Sequence, residues 1–227
     1  MERPRAIDYV VDFYGWNTDH NALVLEMAQC SFEDYIQRLE LLPGTRRDDA
    51  QRTELLPMTL RLVQGLKWLH ASNIVHGDIK PGNILIREGS SQCHQPIYCD
   101  FSAARLNHPS HAPPKDSAGT YDFMAPEQFS LRQPDNWTST ASDVWALGVT
   151  LLYGVIGSSP YARAANVFAR RAMASSGMVL EGLSMDEKWL RRVENLSFRK
   201  LIEGSVQKKA DKRWSAIEWQ TEWVSGQ

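Results

Sequence analysis

The sequence has few of the features that mark a secreted, zinc-binding or membrane-spanning protein. Its 227 residues include three cysteines, an odd number without a CxxC pair, so free thiols and a reducing compartment are indicated. The longest apolar stretch, residues 144–156, has 13 residues, whereas a helix needs about 20 to span a bilayer. The opening residues MERPRAID lack the apolar centre of a signal peptide. We expect a soluble protein of the cytoplasm or nucleus, with no membrane partner.

The sequence also lacks an excess of either charge. It has 25 Lys and Arg against 27 Asp and Glu, a formal net charge of −2, and no tail of like charge, so no nucleic-acid partner is expected. What is present is a hydrophobic content of 43%, with eight Trp and seven each of Tyr and Phe. This composition predicts one folded domain with a packed interior.

The N-terminal quarter predicts two strands and then a helix. Two β-rich runs, residues 10–14 and 22–27, flank a turn-forming segment and predict an antiparallel pair, which is too small to be stable alone. Ser31, followed three residues later by an Asp, predicts the N-cap of a helix that reaches about residue 39. Pro43 and the glycine after it end that helix, and a polar linker is expected behind them.

The remainder of the chain is mostly helical in pattern. Apolar spacing predicts an amphipathic helix over residues 58–71 and a helix from residue 139 that is buried all round. Short apolar segments predict strands at 74–75, 84–86 and 97–99, and later helices are predicted at 166–175, 186–207 and 215–224. A few strands followed by mostly helix indicate an α+β fold.

Acidic, basic and amide side chains meet in one predicted loop. Asp78 and Lys80 are two residues apart, Asn83 follows in the same loop, and Asp100 comes directly after a short apolar strand. Carboxylate and amide oxygens are the ligands that hard cations prefer. The set therefore has the outline of a phosphate and Mg²⁺ site, although each residue taken alone is more often a turn former or helix cap.

Four spaced motifs make the chain resemble the eukaryotic Ser/Thr protein kinase family. They are HGDIKPGN at 76–83, DFS at 100–102, GTYDFMAPE at 119–127, and SDVWALG at 142–148 with DKRW at 211–214. The resemblance implies a kinase-like α+β fold whose C-terminal lobe is mainly helical. It implies ATP and Mg²⁺ as cofactors, a protein substrate phosphorylated on Ser or Thr, and the possibility of a regulatory protein partner.

The resemblance also implies roles for individual residues. Asp78 would orient the substrate hydroxyl, Lys80 would neutralise the transferred phosphoryl group, and Thr120 would bridge the catalytic loop and the substrate platform. Asn83 and Asp100 would hold Mg²⁺ against the nucleotide phosphates. Structural roles are implied for His76, Glu127, Asp143 and Arg213, of which Glu127 and Arg213 would form a buried ion pair.

Residues 25–28 resemble the hinge between the two lobes of a kinase. The backbone groups of Glu26 and Ala28 would meet the adenine edge, with Leu25 at the back of the pocket. The implied division is a remnant of the N-terminal lobe with the hinge at residues 1–28 and a helical lobe at 29–227. The Lys-Pro pair at 80–81 favours the Ser/Thr branch of the family.

Parts of the family pattern do not occur in this sequence. No Gly-rich loop, strand Lys or helix Glu precedes the hinge, and residues 1–24 contain no lysine, so the resemblance implies a truncated N-terminal lobe. Gly77 stands where the family often has an Arg that grips an activation-loop phosphate, and Ser102 replaces the glycine of the metal-binding loop. Three interpretations stay open: a kinase that needs a complete N-terminal lobe, a pseudokinase that binds partners without catalysis, and a fragment completed by another chain.

Overall fold

The computed structural model describes residues 8–88, 94–108, 119–130, 137–180 and 199–225. Its strands are β1 (Phe13–Asn17), β2 (Ala22–Leu25), β3 (Cys30–Ser31), β4 (Ile74–Val75), β5 (Ile84–Glu88), β6 (His94–Tyr98) and β7 (Arg105–Leu106). Its helices are α1 (Phe32–Glu40), α2 (Gly44–Ala50), α3 (Leu56–Ala71), α4 (Thr140–Ile156), α5 (Val167–Ser176), α6 (Arg199–Ser205) and α7 (Ala216–Ser225). The architecture is α+β, as the sequence predicts.

Helix α4 is the centre of the core. Every residue from Ser142 to Ile156 is buried, which confirms the prediction of a helix enclosed on all sides. Ser139 caps its N-terminus by accepting the N–H of Ser142 at 3.1 Å, and Gly157 ends it with φ of 81°. Helices α3 and α6 pack against it, so the residues just before and just after α4 are held on a rigid scaffold.

The segment expected to be a polar linker is helical, and that expectation was wrong. Helix α2 begins after Pro43 and continues through one π-helical turn, Gln51–Leu55, into α3. Gln51 is buried and its side-chain amide donates to the carbonyls of Gly154 and Val155, at 3.2 and 2.9 Å. This helix could not be predicted from its polar sequence, because it has no local apolar stripe. Its stabilising contacts come instead from the end of α4.

Three small sheets accompany the helices. Strands β3, β5 and β6 form an antiparallel sheet, β4 pairs with β7, and β1 pairs with β2 as an isolated hairpin. The antiparallel hairpin is confirmed, but β1 begins at Phe13 rather than at residue 10. The reason is that Val11 donates its N–H to the carbonyl of Tyr98, at 2.9 Å, and so belongs beside β6.

The other predicted helices agree with the structure where it describes them. Helix α1 begins at the Ser31 cap, with the reciprocal bonds of a capping box between Ser31 and Asp34. The helix predicted over 186–207 is seen only as Arg199–Ser205, since residues 181–198 lie outside the described residues. Within the described part of the chain, no helix combines the length and the apolar character that a membrane crossing needs.

Candidate active site

The carboxylate of Asp78 is the centre of a hydrogen-bonded cluster. Lys80 Nζ donates to Asp78 Oδ2 at 2.7 Å and to Thr120 Oγ1 at 2.9 Å. The backbone N–H of Thr120 donates to Asp78 Oδ1 at 3.1 Å. The structure therefore brings together an acid, a cation and a hydroxyl from segments about 40 residues apart. The Asp78 side chain is 14% exposed, so its carboxylate lies at a surface that another molecule can reach.

The loop that carries Asp78 is hydrogen-bonded to Asp143 on α4. Asp143 Oδ2 accepts the backbone N–H of His76 at 2.8 Å, and Oδ1 accepts that of Gly77 at 2.9 Å. His70 on α3 places Nε2 at 3.1 Å from the same Oδ2. The Asp143 side chain is only 2% exposed, and these contacts supply the partners that a buried carboxylate requires. These hydrogen bonds therefore hold the loop in a fixed position on the buried helix α4.

The His76 ring joins the loop to the segment around Asp100. Nε2 lies 3.0 Å from the carbonyl of Cys99, and Nδ1 lies 3.4 Å from the backbone N of Asp78. With Nε2 as donor and Nδ1 as acceptor, a neutral ring satisfies both contacts. Burial lowers the pKa of His76, although nearby carboxylates oppose that shift. A neutral, fully buried imidazole fits a structural role.

Gly77 is the residue that the backbone path of this loop requires. Its φ is 83°, and a Cβ built on it would lie 2.5 Å from the carbonyl oxygen of Ala103. An L-residue here would be strained and would also push against the neighbouring segment. The loop therefore keeps its close approach to Ala103 by having no side chain at this position.

Asn83 and Asp100 offer oxygen ligands on adjoining segments. Asn83 Nδ2 donates to the backbone oxygen and to Oδ2 of Asp78, at 2.8 and 3.0 Å, which leaves the amide oxygen for another partner. The backbone N–H of Cys99 donates to the carbonyl of Asn83 at 3.0 Å, so the two segments are tied together. Amide and carboxylate oxygens are the type of ligand that Mg²⁺ binds, so the chemistry of these two side chains suits such an ion.

The conformation of Asp100 explains why serine can follow the Phe of this motif. Asp100 itself has φ of 57°. Ser102 donates its hydroxyl to Asp100 Oδ1 at 2.7 Å and its backbone N–H to the same atom at 3.3 Å. These bonds to Ser102 hold the pKa of Asp100 below its usual range, so the carboxylate stays charged near neutral pH. Ser102 does not have a positive φ, and the structure does not require a glycine there.

Glu127 and Arg213 form a bidentate ion pair behind the 119–127 segment. Arg213 donates from its two terminal nitrogens to the two oxygens of Glu127, at 2.6 and 2.7 Å. It also donates to the carbonyls of Gln207 and Ala141, and its guanidinium lies 4.9 Å from the ring centre of Trp145. The Arg213 side chain is 1% exposed. Such a pair fixes the segment that carries Thr120 against the helical core.

The residues expected to form a hinge lie at the end of the β1–β2 hairpin. The Glu26 N–H donates to the carbonyl of Asp12 at 2.9 Å, and its side chain forms an ion pair with Arg87. That pairing with Arg87 holds the pKa of Glu26 below its usual range. Ala28 is half-buried and Leu25 is 40% exposed. The side-chain role of Glu26 was not predicted, because no local spacing connects it to a residue 61 positions away.

One further pair near the cluster was also missed. Arg170 on α5 donates Nε to Asp122 Oδ1 at 2.7 Å, and a second nitrogen bonds the other carboxylate oxygen. Bonding to Asp122 raises the pKa of Arg170. Helix α5 therefore holds the chain two residues after Thr120. The only sequence signal was an acid inside the 119–127 motif, which does not identify its basic partner.

Comparison with known proteins gives one family. A family model described as the protein kinase domain matches residues 1–224. Serine/threonine-protein kinase GRIK2 of Arabidopsis thaliana is 30% identical over 71% of this chain and 37% of its own length. Protein kinase wis1 of Schizosaccharomyces pombe is 31% identical over 67% of this chain and 24% of its own length. Serine/threonine-protein kinase/endoribonuclease IRE2 of Homo sapiens is 32% identical over 60% of this chain. The matched parts of these relatives are well under half of their lengths.

Proposed function

The chain belongs to the protein kinase family, and from that premise we propose that it transfers the terminal phosphoryl group of ATP to Ser or Thr hydroxyls of protein substrates. The transfer requires a complete nucleotide-binding lobe. We assign residues 1–28 to the remnant of that lobe with the hinge and residues 29–227 to the helical lobe. The observation that carries the proposal is the cluster of Asp78, Lys80 and Thr120.

The cluster is arranged to receive a hydroxyl group. Asp78 accepts bonds from Lys80 and Thr120, and its carboxylate is positioned to accept a further bond from a substrate hydroxyl and to take its proton. Lys80 brings a positive charge to the same place, where negative charge on the transferred group needs a partner. The protein's contribution is positioning and charge, since phosphoryl transfer asks little covalent chemistry of the enzyme.

Asn83 and Asp100 are the residues that would hold Mg²⁺. Their available oxygens lie on two segments joined by the Cys99 to Asn83 hydrogen bond, and the lowered pKa of Asp100 keeps its carboxylate charged. When bound, the ion neutralises charge on the nucleotide phosphates. His76 and Asp143 position the loop and do not touch reacting atoms.

The alternative is a pseudokinase that binds partners through its helical lobe. The observation that favours it is the sequence before the hinge, because residues 1–24 contain no lysine that could pair with the nucleotide phosphates. Positioning of those phosphates supplies a large part of the catalysis in this family. A pseudokinase would retain the helical lobe and its ion pairs and would not need Asp78 to be reactive.

Phosphate transfer by the full chain, with and without Asp78→Asn, distinguishes the two functions. We expect Mg²⁺-ATP to raise the unfolding temperature of both proteins, because Asp78 is not needed to bind the nucleotide. Transfer to a mixed Ser/Thr protein substrate should fall by about 10²-fold or more in Asp78→Asn, since the proton acceptor is lost. Asp19→Asn, an exposed change in the hairpin turn, is the matched control and should keep its activity. A wild-type chain without saturable stabilisation or transfer would contradict catalysis by these 227 residues and favour the pseudokinase.

A further inference from the structure

An open groove runs beside the catalytic cluster. Its volume is about 570 Å³, and Lys80 and Thr120 are among its lining residues. The other walls come from α1, the loop residues Pro81 and Gly82, the C-terminal end of α4 and helix α5. The groove therefore adjoins the place where a substrate hydroxyl would meet Asp78, because Lys80 and Thr120 are both bonded to that carboxylate.

The charges that line this groove are paired, with one exception among the described residues. Lys80 is bonded to Asp78, and Arg170 is bonded to Asp122. Glu33, in the first turn of α1, is exposed and forms neither a hydrogen bond nor an ion pair with a described residue. Among the described charged residues of the groove, the Glu33 carboxylate is therefore the one that is available to bind a charged ligand.

The position of Glu33 brings this carboxylate close to the catalytic loop. A Cβ built on Gly82 would lie 3.4 Å from Glu33 Oε2, an ordinary contact distance, so the Glu33 carboxylate is directly beside the loop. With glycine there, the space between the carboxylate and the loop stays open. Tyr153 also lines the groove. Burial raises the pKa of Tyr153, and the Glu33 carboxylate adds to that shift.

We propose that Glu33 selects protein substrates that carry an arginine or lysine close to the phosphorylated Ser or Thr. The proposal rests on the proposed phosphoryl transfer for its place in catalysis, but the recognition it describes is a binding property of the groove. A guanidinium suits this carboxylate best, because Arg can donate two parallel bonds to its two oxygens. Because Glu33 is exposed to solvent, the gain in binding free energy is small, and we expect a preference of about fivefold.

A peptide series tests this recognition without requiring catalysis. Each peptide has one Ser in an alanine-based sequence, and a single Arg is moved from four residues before the Ser to four residues after it. Binding of the fluorescein-labelled peptides to the full chain is followed by fluorescence anisotropy. We expect one or two members of the series to bind wild type about five times more tightly than the parent without Arg.

Three variants connect that preference to a single carboxylate. Glu33→Gln should reduce the preference to within twofold of the parent, and Glu33→Arg should instead prefer the matching peptides that carry Glu. Glu40→Gln is the matched control: Glu40 is on the same helix and its carboxylate lies 3.5 Å from Arg47. This variant should keep the wild-type preference. Equal unfolding temperatures of wild type and variants would show that the fold is unchanged.

The outcomes separate this inference from the proposed function. A Glu33-dependent preference in binding, found together with no phosphate transfer, would support the recognition and contradict the kinase activity. An Arg preference that persists in Glu33→Gln, or a wild-type chain that binds all peptides equally, would overturn the role of Glu33. Phosphate transfer that depends on Asp78 would still stand in that case, since Asp78 and Glu33 are tested by different variants and different measurements.

Discussion

The loop of residues 76–83 and the β1–β2 hairpin differ in how many of their groups are buried or hydrogen-bonded to the rest of the protein. In the loop, Asp143 accepts two backbone N–H groups, and the His76 ring is fully buried between its partners. In the hairpin, large apolar side chains face solvent. Their exposed fractions are 61% for Phe13, 67% for Tyr14, 52% for Trp16 and 60% for Leu23. The loop is thus stabilised by Asp143 on α4, whereas the hairpin has little described structure against it.

If the proposed function is correct, the residues that would receive a substrate and the residues that would hold a nucleotide therefore lie in two regions with different stabilising contacts. The groups that would meet a hydroxyl are held by α4, α5 and the Glu127–Arg213 pair. The groups that would meet adenine are carried by the end of a two-stranded hairpin, and such hairpins are only marginally stable alone. Mutations in the two regions should therefore have very different effects on global stability.

The largest effect is expected from Arg213→Met. The change leaves the Glu127 carboxylate without its bidentate partner, and removing one member of a buried pair costs about 3–5 kcal/mol. The 22% exposure of Glu127 places this variant at the lower end. Urea denaturation followed by tryptophan fluorescence measures the change. The double variant Arg213→Met with Glu127→Gln should recover part of the loss, and a double variant no more stable than the single one would contradict the unpaired-charge explanation.

A smaller loss is expected from Gly77→Ala. Its φ of 83° and the 2.5 Å approach of the built Cβ to the Ala103 oxygen both penalise a side chain, at a cost of about 1–3 kcal/mol. Gly82→Ala is the matched control in the same loop, because Gly82 lacks a positive φ and its nearest neighbour is at 3.4 Å. The free energy of unfolding should fall only in the first variant. Equal values would mean that the loop does not depend on its glycine.

Acid should weaken the loop region through His76. Its pKa is lowered in the folded protein, so below the ordinary value of about 6.5 the unfolded chain binds more protons than the folded one. Stability from the neutral ring is present above that pH and is lost as the pH falls, by at most about 1.4 kcal/mol per pH unit. Unfolding free energies measured from pH 7.5 to 5.5 should show this slope in wild type and a flatter one in His76→Gln. Identical slopes would exclude His76 as the source.

The smallest effect is expected in the hairpin. Trp16 and Leu23 are paired across β1 and β2 and are 52% and 60% exposed, so changing both to Ser should alter the global unfolding free energy by less than about 0.5 kcal/mol. Leu66→Ala in the core is the comparison, with an expected loss of about 2–5 kcal/mol. Chemical denaturation of the two proteins side by side measures both. A hairpin variant as unstable as Leu66→Ala would abolish the contrast between the regions.

The sequence predicted what depends on local pattern. The capping box at Ser31, the buried helix α4 and the loop that carries Asp78 all have short-range signals, and the structure places each of them where expected. The pairs Asp122–Arg170 and Glu26–Arg87 have no such signal, because their members are 48 and 61 residues apart and meet only through tertiary packing.

The contact made by Gln51 also has a consequence for how the protein folds while it is being synthesised. Its amide bonds the carbonyls of Gly154 and Val155, which are 103 and 104 residues further along the chain. A ribosome that adds 5–20 residues per second needs about 5–20 s to cover that distance. During this interval the side chain has none of its native acceptors. The first three helices therefore leave the ribosome before α4 does. Their contact with α4 through Gln51 can form only after α4 has left the ribosomal exit tunnel.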